Sequence, residues 1–124
     1  MSVPRLESLT PIVPAGPDVE ATIAFYEKFL GFAVRFRDGS PTSMAFVHRD
    51  GVELMLQQTD DKHWAGQTSY RIRVTGVEEF HREFVSRGGP VHPNGKLQKK
   101  PWGSIEFAVI DPFGVCLAFY EFLK

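Results

Sequence analysis

The stretch DVEATIAFYEKFLGF, residues 18–32, decides the fold because it describes one helix with both of its ends marked. Asp18 is a good N-cap, and the carboxylate of Glu20 suits the positive end of the helix dipole. Gly31 follows the last apolar turn, where a left-handed residue commonly ends a helix. The apolar residues on one face are Val19, Ile23, Tyr26 and Leu30, with Phe29 beside them. This pattern predicts an amphipathic helix packed on a sheet.

Strands are predicted on both sides of this helix. One short strand precedes it, and the prolines in that strand suit the edge of a sheet. Three strands follow it, separated by the turn signals Asp38-Gly39 and Asp50-Gly51. The predicted strands are residues 8–14, 32–37, 43–49 and 52–57. The first half of the chain is therefore a βαβββ unit.

The same order starts again after a polar, turn-rich connector. A strand at residues 69–74 leads to a second helix, for which Thr75 and Glu78 form a capping box and Gly88-Gly89 marks the end. The remaining predicted strands are a short piece around Val91 and residues 104–110 and 115–122. The halves also match locally, since the pattern G-V-x-L at residues 51–54 recurs at residues 114–117.

This repetition predicts an α+β fold built from two tandem βαβββ modules. We expect a single domain over residues 1–124, with module one at about 7–58, a connector at about 59–67 and module two at about 68–124. Each helix would pack on the convex face of its own sheet, and the two curved sheets would enclose a cavity on their concave sides.

Composition excludes several classes of function. Lys and Arg number 14 against 15 Asp and Glu, so a surface that neutralises many phosphates is not expected. Cys116 is the only cysteine, which excludes an internal disulfide and a cysteine-based zinc cluster. No apolar run approaches the ~20 residues that span a bilayer, and the N-terminus lacks a signal-peptide core. We expect a cytoplasmic protein with neither nucleic-acid nor membrane partners.

Two features of the composition leave alternatives open. Aromatic residues make up 13% of the chain, and they serve either to fill the core or to line a ligand cavity. Lys96, Lys99 and Lys100 form either a solvated loop or a patch for an anionic ligand.

Several segments together resemble the glyoxalase/bleomycin-resistance/dioxygenase group, also called the vicinal oxygen chelate superfamily. They are TPIVP at residues 10–14, DVEATIAFY at 18–26, LGF at 30–32, DGVELMLQ at 50–57, PWG at 101–103, EFA at 106–108 and DPFGVC at 111–116. The last three are similar to the bleomycin-resistance branch in particular. The resemblance implies the fold predicted above, and it implies little about function because the same fold carries isomerases, lyases, dioxygenases and binding proteins.

Enzymes of this group hold a divalent metal with His, Glu or Gln from four strand positions. The resemblance aligns these positions with Thr10, Met55, Ser69 and Ala118, none of which is a competent ligand. A shift of two residues brings Glu53 or Gln57 onto the same face, which supplies one ligand and not three. We therefore predict neither a metal nor another cofactor.

Alternation along the strands predicts which side chains face the cavity. If Leu54, Leu56, Leu117 and Phe119 pack under the helices, the cavity side is formed by Glu53, Met55, Gln57, Cys116, Ala118 and Tyr120. By the resemblance, Trp102 matches a tryptophan that stacks on the flat part of bleomycin. Trp64 in the connector would close the pocket from another side. These eight residues are the predicted ligand site.

The leading hypothesis is a metal-free protein that sequesters a small, partly aromatic compound, as in antibiotic resistance. The alternative is a lyase or isomerase of the glyoxalase type, with Glu53 as general base. A third reading is a scaffold module whose cavity is filled. The resemblance also implies a homodimer, formed side by side or by exchanged strands. Because relatives that bind cationic bleomycin tend to be acidic, the net charge of −1 favours a neutral or weakly charged planar ligand.

Overall fold

The computed structural model describes residues 3–124. In module one the elements are β1 (Ile12–Pro14), α1 (Val19–Leu30), β2 (Ala33–Asp38), β3 (Met44–Arg49) and β4 (Val52–Gln57). A short helix, α2 (Lys62–Gly66), lies in the connector. In module two they are β5 (Ser69–Arg73), α3 (Val77–Ser86), β6 (Gln98–Lys99), β7 (Ser104–Ile110) and β8 (Cys116–Phe122), with a 3₁₀ turn at Pro93–Gly95 before β6.

The strands form two four-stranded sheets of the same topology. Sheet one has the order β1-β4-β3-β2, and sheet two has the order β5-β8-β7-β6. The first strand of each module runs parallel to the last, with Ile12 opposite Met55 and Ser69 opposite Cys116. All other neighbours within the sheets are antiparallel. The predicted α+β fold with a duplicated βαβββ unit is confirmed.

Helix α1 begins and ends where the sequence predicts. The Asp18 carboxylate accepts a hydrogen bond from the backbone N–H of Ala21, at 3.2 Å. Gly31 ends the helix with φ of 72°, and its N–H donates to the carbonyl of Tyr26.

The predicted capping box of the second helix is wrong. Helix α3 starts at Val77 after Gly76, which has φ of 81°, a left-handed conformation that places the cap one residue beyond Thr75. The Glu121 carboxylate, from β8, instead accepts hydrogen bonds from the N–H groups of Gly76 and Val77, both at 3.1 Å. A group far away in sequence therefore caps this helix.

Other boundaries also differ from the predictions. Strand β1 begins at Ile12 rather than at Ser8, and no strand forms around Val91 within the described residues. Pro90 and Pro93 flank Val91 and cannot donate to a ladder, so the outer strand of sheet two forms later, at β6.

The core is shared between the two modules. Buried apolar residues from α1, α3 and both sheets form one continuous cluster. The rings of Phe29 on α1 and Phe84 on α3 meet edge to face, with 6.3 Å between their centroids. The Tyr26 hydroxyl donates to the Asp111 carboxylate at 2.8 Å, which joins α1 to the β7–β8 turn. Among residues 3–124, every helix is too short or too polar to cross a bilayer.

Candidate functional site

Strand β4 separates the core face of sheet one from its opposite face. Leu54 and Leu56 are buried in the core cluster, as predicted. Glu53, Met55 and Gln57 alternate with them and are partly exposed. We call the face that bears them, away from the helices, the concave face of sheet one.

Strand β8 likewise separates the core face of sheet two from its opposite face. Leu117 and Phe119 are buried, whereas Cys116, Ala118 and Tyr120 lie partly exposed on the other side. That side is the concave face of sheet two. The strand alternation on which six of the predicted site residues rest is therefore present in both sheets.

A carboxylate missing from the predicted site organises the concave face of sheet two. Glu106 on β7 is only 5% exposed. It accepts two hydrogen bonds from the Arg71 guanidinium, at 3.0 and 2.8 Å, and one from Trp102 Nε1 at 2.9 Å. The hydroxyl of Ser104 donates to the same carboxylate. Hydrogen bonds from Arg71 first, then Ser104 and Trp102, outweigh burial and lower the pKa of Glu106 to about 2.

The hydrogen bond from Glu106 fixes the indole of Trp102 on an otherwise open surface. Trp102 lies in the turn between β6 and β7, and 58% of the residue is exposed. Its polar edge is satisfied while its ring surface remains available for contact. Such a ring offers a large apolar area that is already held in one orientation.

Basic side chains lie over aromatic rings around this tryptophan. The Arg71 guanidinium is 4.4 Å from the ring centroid of Tyr120, and Arg73 is 4.9 Å from that of Phe122. The Lys100 ammonium is 5.8 Å from the ring of Trp102 itself. The concave face of sheet two thus combines aromatic surface with positive charge.

The concave face of sheet one is more apolar, with one ion pair at its end. Ile12, Phe46 and Met55 are paired across β1, β3 and β4. Glu53 accepts from Arg35 Nε at 2.8 Å and from the Thr10 hydroxyl at 3.1 Å. Both oxygens of Glu53 are therefore engaged within the chain.

The positions that hold the metal in related enzymes do not fit a metal here. The Thr10 hydroxyl is committed to Glu53, and Met55, Ser69 and Ala118 carry no carboxylate or imidazole. Within residues 3–124, no three His, Cys, Asp or Glu side chains lie close enough together to hold an ion.

The eight predicted residues fall into three groups. Cys116, Ala118 and Tyr120 lie on β8 of sheet two, with Trp102 in the adjoining β6–β7 turn, and Glu53, Met55 and Gln57 lie on β4 of sheet one. Trp64 lies on α2, which contacts β1, and is 36% exposed. The Asp61 carboxylate accepts from the N–H of Trp64 and so starts this helix. The sequence prediction of a plain connector missed α2, although Asp61 is the same kind of cap signal as Asp18.

Three cavities of the single chain differ in how they relate to the predicted site. One of about 560 Å³ lies between the β3–β4 turn, the end of β5 and α3, and none of the eight residues lines it. The ion pair between Arg49 and Glu83, at 2.7 Å, spans this cavity from one module to the other. Glu53 lines a smaller cavity of about 200 Å³ beside residues 8–10, and Ala118 lines one of about 40 Å³. The role of the eight residues in ligand binding stays a prediction.

Comparison with known proteins identifies the family. The family model described as "Glyoxalase superfamily protein" matches residues 5–124. The chain therefore belongs to the glyoxalase superfamily, and within it the chain groups with the bleomycin-resistance branch.

Relatives of known name support that grouping. The bleomycin resistance protein of Geobacillus stearothermophilus is 30% identical over 132 aligned positions, which cover 92% of this chain and 96% of that protein. The crystal structure of a bleomycin resistance determinant encoded on the transposon Tn5 superposes with a TM-score of 0.80 at 28% identity, covering 94% of this chain and 98% of that one. The bleomycin-binding protein of Streptomyces verticillus, solved with copper(II)-bleomycin, gives a TM-score of 0.73 at 27% identity, covering 93% and 97% of the two chains.

Proposed function

We propose that this protein sequesters a small, partly aromatic molecule, which it binds stoichiometrically on the concave face of sheet two. The observation that carries the proposal is the indole of Trp102, which is held by Glu106 and yet is 58% exposed. A large aromatic surface kept rigid in the open is typical of a stacking site. Relatives whose names specify resistance to bleomycin, or binding of it, support a sequestering role.

We propose that binding needs no metal and includes no catalytic step. Thr10, Met55, Ser69 and Ala118 supply no set of ligands for a divalent ion. Glu53 is the residue that a lyase or isomerase would use as base. Its hydrogen bonds to Arg35 and Thr10 instead support a structural role.

We further propose that two copies of the chain form the complete pocket. The apolar residues of the concave face of sheet one are uncovered, with Ile12 47% and Phe36 51% exposed. A second copy that laid this face over sheet two would bury these side chains and close the space around Trp102. Analytical ultracentrifugation of the purified protein tests the dimer directly.

Replacement of Trp102 tests the binding site. Trp102→Ala should weaken the binding of a stacked ligand by about 1–3 kcal/mol, which is roughly five- to 150-fold, because stacking and contact area are both lost. Trp102→Phe keeps an aromatic ring and should weaken ligand binding less. Isothermal titration with bleomycin and a panel of planar drugs measures the effect.

A second variant makes a tryptophan-fluorescence titration specific for the ring of Trp102. Because the chain has two tryptophans, Trp64→Phe leaves Trp102 as the only indole, and its quenching then reports ligand at that ring. A ligand that binds Trp102→Ala with unchanged affinity would contradict the stacking site. Reduced affinity in Trp64→Phe would assign the connector helix α2 to the pocket as well.

A further inference from the structure

We infer that the concave face of sheet two selects planar ligands that carry a negative charge, such as an aromatic carboxylate or sulfonate. This inference rests on the proposed binding function and names the class of ligand. It differs from the interpretation of the sequence, in which the net charge of −1 favoured a neutral or weakly charged compound. Net charge averages over the whole surface, whereas a ligand meets the charges of one face.

Positive charge exceeds negative charge on this face. Arg71 and Arg73 project from β5, and Lys100 lies just beyond β6. Among the described residues of β5 to β8, the acidic side chains are Glu106 and Glu121. Glu121 bonds to the start of α3 on the other side of the sheet, with Arg73 near enough to contribute a small attraction, so Glu106 is the one acidic side chain of these described strands on the concave face.

The Glu106 carboxylate forms its ion pair with one basic residue, Arg71. Its two oxygens accept both bonds of the Arg71 guanidinium, along with those of Trp102 and Ser104. Of the ion pairs within 4.0 Å between residues 3 and 124, none includes Arg73 or Lys100. Apart from the weak attraction between Arg73 and Glu121, the positive charges of these two side chains therefore remain available to a ligand.

One of these charges lies at the stacking ring, and the other lies on the same face of the sheet. The Lys100 ammonium is 5.8 Å from the Trp102 ring centroid, and Arg73 lies over Phe122 on β8 at 4.9 Å. A planar molecule on Trp102 would have an edge near Lys100, and an anionic substituent there, or one that extends toward Arg73, would gain ion pairing. A cationic substituent would be repelled.

The guanidinium of Arg71 adds hydrogen-bonding capacity. It has five N–H groups, and its bonds to Glu106 use two of them. The guanidinium also lies over the ring of Tyr120, 4.4 Å from its centroid. The remaining donors match the oxygens of a carboxylate or sulfonate.

This charge balance concerns the face of one chain. On the opposite face, sheet one, Glu53 is paired with Arg35 at 2.8 Å, and Asp38 at the end of β2 is a further carboxylate. The preference for anions is therefore proposed for the concave face of sheet two itself.

Three probes with one aromatic core test the inference: 2-naphthalenesulfonate, 2-naphthol and 2-naphthyltrimethylammonium. Isothermal titration of the wild-type protein at about 0.05 M salt should give the sulfonate roughly tenfold tighter binding than the ammonium. At about 0.5 M salt, screening should reduce this ratio to less than threefold. Equal affinity for the two ions at low salt would overturn the inference.

Charge-neutralising variants locate the effect. Arg73→Gln and Lys100→Gln should each weaken binding of the sulfonate by about threefold at low salt and leave that of 2-naphthol unchanged. Lys28→Gln is the matched control, because the Lys28 ammonium also lies over a ring, that of Phe29 on α1 at 5.1 Å. An equal loss of sulfonate affinity in Lys28→Gln would show a general effect of net charge and would overturn the assignment of the effect to this face.

The same probes separate this inference from the proposed function. Trp102→Ala could weaken the binding of all three probes while the wild type binds the sulfonate and the ammonium equally well. In that case, sequestration on Trp102 stands and anion selection fails. If no probe depends on Trp102, the proposed function fails. In that case, a sulfonate preference that Arg73→Gln and Lys100→Gln each reduce would still uphold the charge selection.

Discussion

Glu106 accepts hydrogen bonds from three side chains in a buried position, so its replacement should be costly. In Glu106→Gln the amide group would face the Arg71 guanidinium, and one or more buried donors would lose a partner. We expect the free energy of unfolding to fall by about 1–3 kcal/mol, measured by urea denaturation.

Glu53→Gln is a matched control for this change, since it removes the charge of another glutamate that is bonded to arginine. The pair between Glu53 and Arg35 is much more exposed, with side-chain exposures of 31% and 57%. Its loss should change stability by less than about 0.5 kcal/mol. Equal losses in the two variants would contradict the special role of Glu106.

Ionisation of Glu106 should also link stability to acid pH. Its pKa is lowered from an ordinary value of 4.5 to about 2 in the folded protein. Since the folded pKa is the lower one, the stabilisation is complete above about pH 4.5 and is lost as the pH falls toward 2. The difference in unfolding free energy between wild type and Glu106→Gln should therefore shrink over that range. A difference that stayed constant in urea titrations down to about pH 2.5 would contradict this.

At the scale of elements, the loop before β6 is fixed by a close approach to sheet two. A Cβ at Gly95 would lie well inside contact distance of the Ala108 carbonyl oxygen on β7. Gly95→Ala must therefore push the loop off the sheet, at a cost of about 1–3 kcal/mol in thermal or urea unfolding. Gly66→Ala on α2 is the control, because no atom lies within 4 Å of the added carbon. If Gly95→Ala were as stable as the wild type, the loop would be able to move away from sheet two without cost, which would contradict this prediction.

Local sequence signals predicted most of the helices and strands, and two failures have different causes: a distant residue at the start of α3, and nearby prolines that were not weighed around Val91. Strands β4 and β7 have the predicted bounds, residues 52–57 and 104–110, because core-facing apolar residues recur at alternate positions along each. The start of α3 depends on Glu121, which a reading of Thr75 and Glu78 cannot anticipate. The strand predicted around Val91 ignored the two prolines beside it.

The candidate site was predictable only in part, for the first of these reasons. Strand alternation places Tyr120 and Ala118 on one face, and the resemblance singled out Trp102. Glu106 was missed, although a glutamate within the apolar strand SIEFAVI is a signal of a buried carboxylate that needs partners. Its partner Arg71 lies on another strand, so the pair becomes visible only when the sheet is known.

At the scale of the whole molecule, a buried hydrogen bond joins the modules. Tyr26 on α1 donates to Asp111 in module two at 2.8 Å, and burial raises the pKa of both groups. Tyr26→Phe keeps the ring and leaves one buried oxygen of Asp111 without this donor, which should cost about 1–3 kcal/mol in urea unfolding. Tyr70→Phe, which removes a more exposed hydroxyl bonded to Ile12, should cost less. A larger loss of stability in Tyr70→Phe than in Tyr26→Phe would contradict the role of the Tyr26 hydrogen bond in joining the modules.

The division of hydrogen bonds between the modules has a consequence for synthesis on the ribosome. Every strand pair between residues 3 and 124 lies inside one module, so sheet one can complete its ladder while module two is still being translated. The ring of Phe29, however, meets its partner Phe84 only after α3 has emerged. During that interval α1 packs on its own finished sheet but lacks the apolar partners that module two supplies to Phe29, and this edge is the surface that a chaperone would protect.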